Sequence, residues 1–552
     1  MNDFIFHNPA KVYFGKNQLE HLPEELAAFG TKVLMVYGGG SIKKSGLYDK
    51  VRGLLESAGM ELFELAGVEP NPRHTTANRG AAICRQNGID VVLAVGGGSA
   101  IDCAKGVAAA AKTADGDVWP LVAGGAWVTD ALPVAVVLTN AATGSEMDAW
   151  SVISNMDVNQ KIGLGGSALI PRVAFENPEH SYTLPAYQTA CGAFDIFNHV
   201  LDNYYLAGDA TFDLVLEMQE AVMRTVVKWT PVALEEPQNY EARANLMWAS
   251  SMALNTVLDA GTVHGCACHM MEHELSAYYD ITHGHGLAIL APRWLEYILD
   301  DGTASAIYRL GIAVFGVEEG LSPEEGARRA IERVSSFAFE TLGLEGTLTE
   351  LGIDEAHFQD MARHACGGGR IPGLRSLGAE DVERIYRSHG PDYFGYEAHM
   401  DPFSLSYHNY FAPMTGALPN GRQKGVALTD ASVSAMPGTD VNGSTALIKS
   451  AAQAIDTVRN NCNHMNMKFL PSALEGPSGT RMLLNLIKTY FDLGGGHIQF
   501  NCVSSETLCD AQEHPQNYKN LVVRVAGFSS YFTRLYKGVQ DEIIKRTEYQ
   551  NV

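Results

Sequence analysis

Four residues of metal-ligand type stand at spacings that suit one divalent ion. Asp195 and His199 are four residues apart, so on a helix they lie on the same face, one turn apart. His269 and His283 follow at a fourteen-residue spacing and could come from a neighbouring helix and the loop that ends it. One carboxylate and three imidazoles suit Fe²⁺ or Zn²⁺, with a position left open for substrate. Any one of the 18 histidines more often only packs, but this ordered set of four favours a metal site.

Glycine turns follow two apolar runs in the N-terminal part of the chain. TKVLMVYGGGSIK (31–43) and VVLAVGGGSAIDCAKGVAAA (91–110) each predict a buried strand that enters a glycine turn, and the second continues into an alanine-rich helix. Backbone N–H groups without a Cβ, at the positive end of a helix dipole, suit a pyrophosphate. A lone glycine turn is often purely structural, and neither turn has GxGxxG spacing. Because there are two, we predict a phosphate cradle at Gly96, Gly97, Gly98 and Ser99.

A third predicted strand ends in polar residues, in VAVVLTNAATGSEM (134–147). Thr139, Thr143 and Ser145 could place hydroxyls around a nicotinamide or its ribose. They could equally cap the turn, and the sequence leaves both readings open.

Size and composition narrow the class of protein. At 552 residues the chain should form two or three domains. The formal charge of −23 argues against a nucleic-acid or anionic-membrane partner, since both need a basic surface. No leader or membrane span is evident, and the nine cysteines are scattered, so we expect a cytoplasmic protein with free thiols. Cys266 and Cys268 precede His269 and could compete for metal, although packing is favoured.

Residues 1–388 resemble an iron-dependent (group III) alcohol dehydrogenase of the butanol dehydrogenase or broad-range aldehyde reductase branch. The resemblance implies hydride transfer between NAD(P)H and a short aldehyde. It also implies a dehydroquinate synthase-like architecture, with an α/β dinucleotide-binding domain (1–182), an all-α metal-binding domain (183–388) and the active site between them. The segments that carry it are FHNPAKVYFG, VYGGGSIKKSGLYD, GVEPNPR, AVGGGSAIDCAK, TNAATGSEM, ALEEPQNYEARANLMWASS and EHELSAYYDITHG.

The resemblance also assigns residues. It makes Asp195, His199, His269 and His283 the metal ligands, and it places Gly97, Gly98, Ser99, Asp102, Thr139 and Thr143 along the cofactor. His273, one turn after His269, could relay a proton as a catalytic residue or merely pack. Two departures, GCAC before His269 and a histidine at 285, put the substrate range in doubt. Dehydroquinate synthase and glycerol dehydrogenase share the architecture, but EHELSAYYDITHG argues against them.

The first glycine turn bears on the choice between NADPH and NADH. NAD-preferring relatives usually place an acidic residue after the first strand, and a carboxylate there would repel a 2′-phosphate. This chain instead has glycine N–H groups and a hydroxyl at Gly38, Gly39 and Ser41, with Lys43 and Lys44 nearby. NADPH is therefore favoured over NADH.

The composition changes near residue 390, where turn-rich segments replace charged helices, and this predicts a domain boundary. GALPNGR, MKFLPSALEG, LGGGHIQFNCVSSETLCDAQEHP and RVAGFSSYF resemble the C-terminal portion of a glycyl radical enzyme, close to the diol and isethionate lyase or hydroxyproline dehydratase branch. By that resemblance residues 395–552 form a glycyl-radical-type domain in which Gly527 carries the radical.

A complete enzyme of this second class would need a barrel and a thiyl-forming cysteine loop, and both are missing. The segment could therefore be a spare radical module, a scaffolding appendage or a fusion remnant. A glycyl radical lyase or its activating enzyme is the partner that the resemblance suggests, in anaerobic fermentation. The alternative function is that the chain mainly serves as an interaction or spare radical module for a glycyl radical lyase, with the reductase activity secondary. The first family also implies a homo-oligomer.

Overall fold

The computed structural model describes residues 2–208, 212–388, 434–435, 440, 442–454, 464–525 and 528–550. The chain forms two compact units, Met1–Ala398 and His399–Val552, and each is described by itself.

The first unit begins with a six-stranded parallel sheet in the order β1-β8-β5-β4-β2-β3. The strands β6 and β7 form a separate antiparallel hairpin. The strands are β1 (Lys11–Phe14), β2 (Lys32–Val36), β3 (Glu61–Leu65), β4 (Val91–Gly96), β5 (Val134–Leu138), β6 (Trp150–Asn155), β7 (Gln160–Gly165) and β8 (Val173–Glu176). The helices of this half are α1 (Leu22–Ala27), α2 (Ser41–Lys44), α3 (Leu47–Ser57), α4 (His74–Asn87), α5 (Gly98–Ala110) and α6 (Trp119–Ala123).

Burial on both faces explains the apolar runs of the central strands. Every residue of β4 and β5 is buried, as expected for a parallel sheet covered on both sides. Along β2, Val33 and Met35 belong to one apolar core while Leu34 and Val36 belong to another, because successive side chains point to opposite faces. The neighbours β2 and β4 run in parallel, so their two glycine turns lie at the same edge of the sheet.

The rest of the first unit is helical. Its described residues contain no strand after β8, and one apolar core joins its helices. A π-helical turn, Leu201–Tyr205, extends the first of them. The helices are α7 (Ala186–Val200), α8 (Asp213–Glu235), α9 (Tyr240–Ala253), α10 (Ala267–Tyr279), α11 (His283–Ile298), α12 (Ala304–Phe315), α13 (Pro323–Ser336), α14 (Phe358–Ala365) and α15 (Ala379–Arg387). The predicted boundary at 182 lies just before α7.

The second unit has two small sheets and two apolar cores among its described residues. The strand β9 lies between β10 and β13 with parallel pairing, and β11 pairs with β12 in an antiparallel hairpin. The predicted radical residue, Gly527, lies outside the described residues. The elements are α16 (Ser444–Ala454), β9 (His464–Phe469), α17 (Gly476–Asp492), β10 (His497–Cys502), α18 (Ser505–Glu513), β11 (Val522–Arg524), β12 (Ser529–Tyr531), α19 (Lys537–Lys545) and β13 (Glu548–Tyr549).

Candidate metal centre and dinucleotide turn

Three helices bring the four predicted metal ligands together. Asp195 and His199 lie on one face of α7, His269 lies in the first turn of α10, and His283 is the first residue of α11. The expectation that His283 lies in the loop after the preceding helix was wrong by one residue. The chain leaves α10 at Asp280 and re-enters a helix three residues later, so His283 begins the next helix.

The candidate ligand atoms face one another. One atom from each of the four residues lies within 4.8 Å of the others. Asp195 Oδ1 is 3.5 Å from His199 Nδ1, 4.0 Å from His269 Nε2 and 3.6 Å from His283 Nε2. Within the part of the chain that the structure describes, Asp195 Oδ1, His199 Nδ1 and His269 Nε2 are buried without a hydrogen-bond partner. Burying three unpartnered polar atoms is costly, and a divalent cation among them would remove that cost.

The protonation states also suit a cation. Burial lowers the pKa of His199 and His283 well below its usual value, so both imidazoles are neutral and offer a lone pair. Burial raises the pKa of Asp195 to about 7, and a bound cation would favour the ionised carboxylate. The donor set therefore fits Fe²⁺ or Zn²⁺.

Two carboxylates behind the histidines orient their rings. Asp202 Oδ2 lies 3.0 Å from His269 Nδ1 and accepts a hydrogen bond from the His269 backbone N–H. Glu272 Oε2 contacts His283 Nδ1. A carboxylate on one ring nitrogen holds the proton there and leaves the other nitrogen, here Nε2, for a metal. Both Nε2 atoms face Asp195 Oδ1.

Lys161, from the α/β half of the unit, supports one of these two carboxylates, Glu272. It lies on β7, and its Nζ is 3.2 Å from Glu272 Oε2 in an ion pair that is buried on both sides. Burial raises the pKa of Glu272, and the charge of Lys161 opposes this rise.

Sequence reasoning missed all three supporting residues. Asp202 stands seven residues after Asp195 and Glu272 three after His269, so helical spacing could have suggested both. Nothing local signals Lys161, which is 122 residues from His283 along the chain.

His273 lies beside the four ligands rather than among them. Its ring centroid is 5.6 Å from that of His283, and it forms a second ligand-type group with Glu272 and His283. Burial lowers the pKa of His273 well below its usual value, so the ring is neutral. No cysteine belongs to either ligand-type group among the described residues.

The second glycine turn packs closely against the end of β5. A Cβ added at Gly98 would lie 2.5 Å from Thr143 Oγ1, and one at Gly97 would lie 3.0 Å from Asn140 Cβ. The Thr139 backbone N–H donates to the carbonyl oxygen of Gly96 at 3.0 Å. These glycines therefore let two loops meet at the N-terminus of α5, whose first N–H groups have no partner within the helix.

Three side chains that were predicted to contact the cofactor, Asp102, Thr143 and Ser99, form hydrogen bonds with other protein groups instead. Asp102 Oδ1 accepts from Ser145 Oγ at 2.6 Å, and Asp102 Oδ2 accepts from the Val152 N–H at 3.0 Å. Burial raises the pKa of Asp102 to about 6. Thr143 Oγ1 accepts from the Ser145 N–H at 3.2 Å, as in a capped turn. Ser99 Oγ donates to the Pro70 carbonyl at 2.9 Å.

The first glycine turn is open, but its lysine is engaged. A Cβ added at Gly39 would meet no atom within 4 Å, whereas one at Gly38 would lie 3.5 Å from a backbone oxygen; Ser41 is exposed. Lys43 Nζ lies 5.1 Å from the Tyr37 ring centroid. The hydroxyl of Tyr37 donates to Glu64 at 2.6 Å. Lys43 is therefore less available to a 2′-phosphate than the sequence argument assumed.

Family models cover the chain in three parts. Residues 9–178 match the model "Iron-containing alcohol dehydrogenase", and residues 189–390 match "Fe-containing alcohol dehydrogenase family, C-terminal". The chain belongs to the iron-containing alcohol dehydrogenase family. Residues 429–533 match the model "Glycine radical", which confirms a glycyl-radical-type segment fused to the dehydrogenase.

Relatives of the dehydrogenase part are similar over nearly their whole length. NADH-dependent butanol dehydrogenase B of Clostridium acetobutylicum is 46% identical over 389 residues, which are 70% of this chain and 99% of that protein. NADPH-dependent aldehyde reductase YqhD of Escherichia coli is 36% identical over 64% of this chain and 90% of its own. The crystal structure of NADH-dependent butanol dehydrogenase A from Thermotoga maritima matches with a TM-score of 0.67 and 37% identity, over 70% of this chain and 98% of that one. These similarities confirm the predicted fold class.

The C-terminal part has a relative of a different kind. Indoleacetate decarboxylase of Tractidigestivibacter scatoligenes is 47% identical over 170 residues, which are 31% of this chain but only 19% of that enzyme. This chain therefore carries about a fifth of that relative. No helix among the described residues combines the length and apolar character needed to cross a bilayer.

Proposed function

We propose that residues 1–388 catalyse hydride transfer between NAD(P)H and a short aldehyde or its alcohol, with one Fe²⁺ or Zn²⁺ held by Asp195, His199, His269 and His283. The observation that carries this proposal is the set of three buried, unpartnered ligand atoms in a member of the iron-containing family. When bound, the metal acts as a Lewis acid on the substrate oxygen, and the nicotinamide carries the hydride.

The chain's own residues have three tasks in this proposal. Asp202 and Glu272 hold His269 and His283 in the tautomer that leaves Nε2 free. The N-terminus of α5 and the two glycine turns receive the dinucleotide phosphates. His273, whose ring centroid is 5.6 Å from that of the ligand His283, is our candidate to relay a proton on the substrate side.

NADPH remains our proposal for the preferred cofactor, although the relatives include both kinds by name. Its support is the open, acid-free turn at Gly38, Gly39 and Ser41. Comparing kcat/KM for NADPH and NADH tests it. A Lys44→Ala variant should lower kcat/KM for NADPH more than for NADH. Lys44 is exposed near the turn, whereas Lys43 lies over Tyr37. An equal loss of kcat/KM for both cofactors would contradict the assignment of Lys44 to the 2′-phosphate.

The test of the main proposal starts with anoxic purification and a metal assay. Oxidation of NADPH and NADH is then followed with a panel of short aldehydes, before and after chelation. Removing a ligand with His199→Ala should abolish metal binding and turnover, whereas His364→Ala, a half-exposed histidine near Glu274, should change neither. Turnover by metal-free protein would refute the proposal.

A second function, an interaction or spare radical module, is favoured by an exposed apolar stripe in the second unit. On α17, Leu484 and Phe491 are 51% and 48% exposed and share a face with Ile487. Leu486 and Tyr490, on a neighbouring face of the helix, are buried in a core. Such a stripe marks an interaction surface, and the relative of this segment is some five times as long. We propose that the stripe packs on the remainder of a glycyl radical enzyme, with Gly527 as the radical site.

Three experiments test this second function. The full chain is titrated with indoleacetate decarboxylase that lacks the segment matching this chain, and binding is measured for Leu484→Glu/Phe491→Glu and for Thr489→Glu, an exposed residue off the stripe. Loss of binding in Leu484→Glu/Phe491→Glu but not in Thr489→Glu supports docking. Absence of binding by the wild type and both variants contradicts it. A radical signal in electron paramagnetic resonance after anoxic incubation with an activating enzyme, lost in Gly527→Ala, tests the radical. Deleting residues 395–552 should leave reductase activity unchanged.

We also propose a cytoplasmic homo-oligomer. The described cysteines are all free thiols, as in a reducing compartment. Exposed apolar side chains on the first unit, Ile5 at 96% and Leu214 at 64%, favour self-association. Light scattering after size exclusion gives the mass, and a monomer would refute the oligomer.

A further inference from the structure

A four-residue segment, Pro70 to Arg73, touches both the dinucleotide turn and the metal-ligand helices. It belongs to the connection between β3 and α4. The Ser99 hydroxyl, at the start of α5, donates to the Pro70 carbonyl oxygen at 2.9 Å. The Ser154 N–H, on β6, donates to the Pro72 carbonyl at 2.8 Å. The segment is thus tied to the turn that is proposed to hold the cofactor phosphates.

The two polar side chains of this 70–73 segment meet at Asp280, where α10 ends. Asn71 Nδ2 donates to Asp280 Oδ1 at 2.9 Å, and Arg73 pairs with Asp280 Oδ2 at 2.6 Å. Asn71 also donates to the carbonyl of Ile281 at 3.3 Å. Both carboxylate oxygens of Asp280 therefore bind the segment, and the charge on Arg73 strengthens its contact.

Asp280 controls the direction in which the chain approaches His283. Only Asp280, Ile281 and Thr282 separate α10 from α11, and His283 follows them directly. The backbone of Asp280 has φ of +52°, in the left-handed region that few residues other than glycine adopt. The contacts of its side chain with Asn71 and Arg73 fix where this turn lies.

We propose that Asp280 and the 70–73 segment are positioning residues that couple dinucleotide binding to metal binding. The inference rests on the proposed function, because it takes the Ser99 turn and His283 as parts of the two sites. A dinucleotide at the turn orders the segment, and the segment then holds Asp280 and the start of α11. By reciprocity, the metal raises the affinity for dinucleotide by the same factor.

Two conservative variants separate this coupling from folding. Asp280→Asn removes the charge but keeps the backbone, because asparagine tolerates the left-handed conformation. Arg73→Gln removes the other partner and lies far along the chain, so a folding defect in one variant does not decide the result. The matched control is Arg52→Ala, which removes an exposed ion pair with Glu56, 2.7 Å long, on α3.

The experiment measures release of Zn²⁺ from loaded protein to a chelator, with and without whichever of NADPH and NADH binds more tightly. The dinucleotide should slow release from the wild type. Release from Asp280→Asn and Arg73→Gln should be about two- to fivefold faster, as for a partly exposed ion pair, and the dinucleotide should no longer slow it. The double variant should add little to either single one, because both remove the same contact. Arg52→Ala should match the wild type.

The possible outcomes distinguish a failure of the coupling from a failure of the proposed function. Wild-type release and wild-type protection in both variants would overturn the coupling and leave the proposed function standing. A wild-type protein that binds neither Zn²⁺ nor dinucleotide would overturn the proposed function, and the coupling with it. Faster release with protection retained would show that the segment supports the metal alone, which also overturns the coupling.

Discussion

Replacing Glu272 by Gln tests whether a buried carboxylate supports the metal ligand His283. The Glu272 side chain is fully buried, contacts His283 Nδ1, pairs with Lys161 at 3.2 Å and accepts a hydrogen bond from Ser276. Glutamine keeps the size of the side chain but removes its charge. Both the ammonium of Lys161 and the ring N–H of His283 then lose their anionic acceptor.

Two effects follow, with different magnitudes. Lys161 is only 6% exposed, and removing one partner of a buried ion pair costs about 3–5 kcal/mol of folding free energy. Loss of a carboxylate behind a metal-binding histidine lowers metal affinity about 10- to 100-fold. The double variant Lys161→Met/Glu272→Gln should recover most of the stability, because no unpaired charge remains. It should not recover the affinity, because His283 still lacks its carboxylate.

Affinity is measured by competition with a chelator, and stability by denaturant unfolding of metal-free protein. Glu274→Gln is the matched control: Glu274 is buried two residues further along α10, and burial raises its pKa to about 8, so at neutral pH glutamine replaces a largely neutral group. If Glu272→Gln and Glu274→Gln bind metal equally well, the supporting role of Glu272 is refuted. If the double variant stays as unstable as the single one, the unpaired charge on Lys161 is not the cause of the loss.

Two further predictions follow from the α/β half. Gly98→Ala should weaken dinucleotide binding and lower stability, because its Cβ would lie 2.5 Å from Thr143 Oγ1, whereas Gly39→Ala has open space and should change stability little; calorimetry of binding and unfolding distinguishes them. Burial raises the pKa of Glu146 to about 7 and that of Glu176 well above its usual value, so the folded protein retains protons that the unfolded chain loses above about pH 4.5. Stability should therefore fall as the pH rises from about 4.5 to about 7, the folded pKa of Glu146, by about 1.4 kcal/mol per pH unit for each such carboxyl. Glu176→Gln should flatten this slope in denaturant unfolding between about pH 5 and pH 7, and an unchanged slope would contradict it.

The parts of the site predicted from sequence are those with a local signal. The glycine turns followed apolar runs whose residues are buried on both faces of the sheet, and Asp195 and His199 stood one helical turn apart. The cofactor hydroxyls were harder to assign. Thr143 and Ser145 have side chains that a turn and a cofactor could both use, and the structure shows the turn contacts.

The parts that sequence could not supply depend on contacts between distant segments. Lys161 reaches Glu272 from a hairpin 111 residues earlier, and Arg73 reaches Asp280 across 207 residues. Neither cation stands in a recognisable motif with its partner. The preference for NADPH was also drawn from Lys43 without its neighbours. Lys43 lies over the Tyr37 ring, and Tyr37 donates to Glu64 on β3.

These distant contacts are ion pairs that join the α/β half to the helices of the metal centre. Two cations of the α/β half, Lys161 and Arg73, pair with two carboxylates of the helical half, Glu272 and Asp280. Glu272 contacts His283, and Asp280 stands three residues before it. The helices alone would keep all four ligands but would lose Lys161, the cation that pairs with the Glu272 carboxylate. We therefore expect an isolated fragment of residues 183–388 to bind metal more weakly than the full chain, even if it folds, because Glu272 and Asp280 would lose the cations that hold them in place.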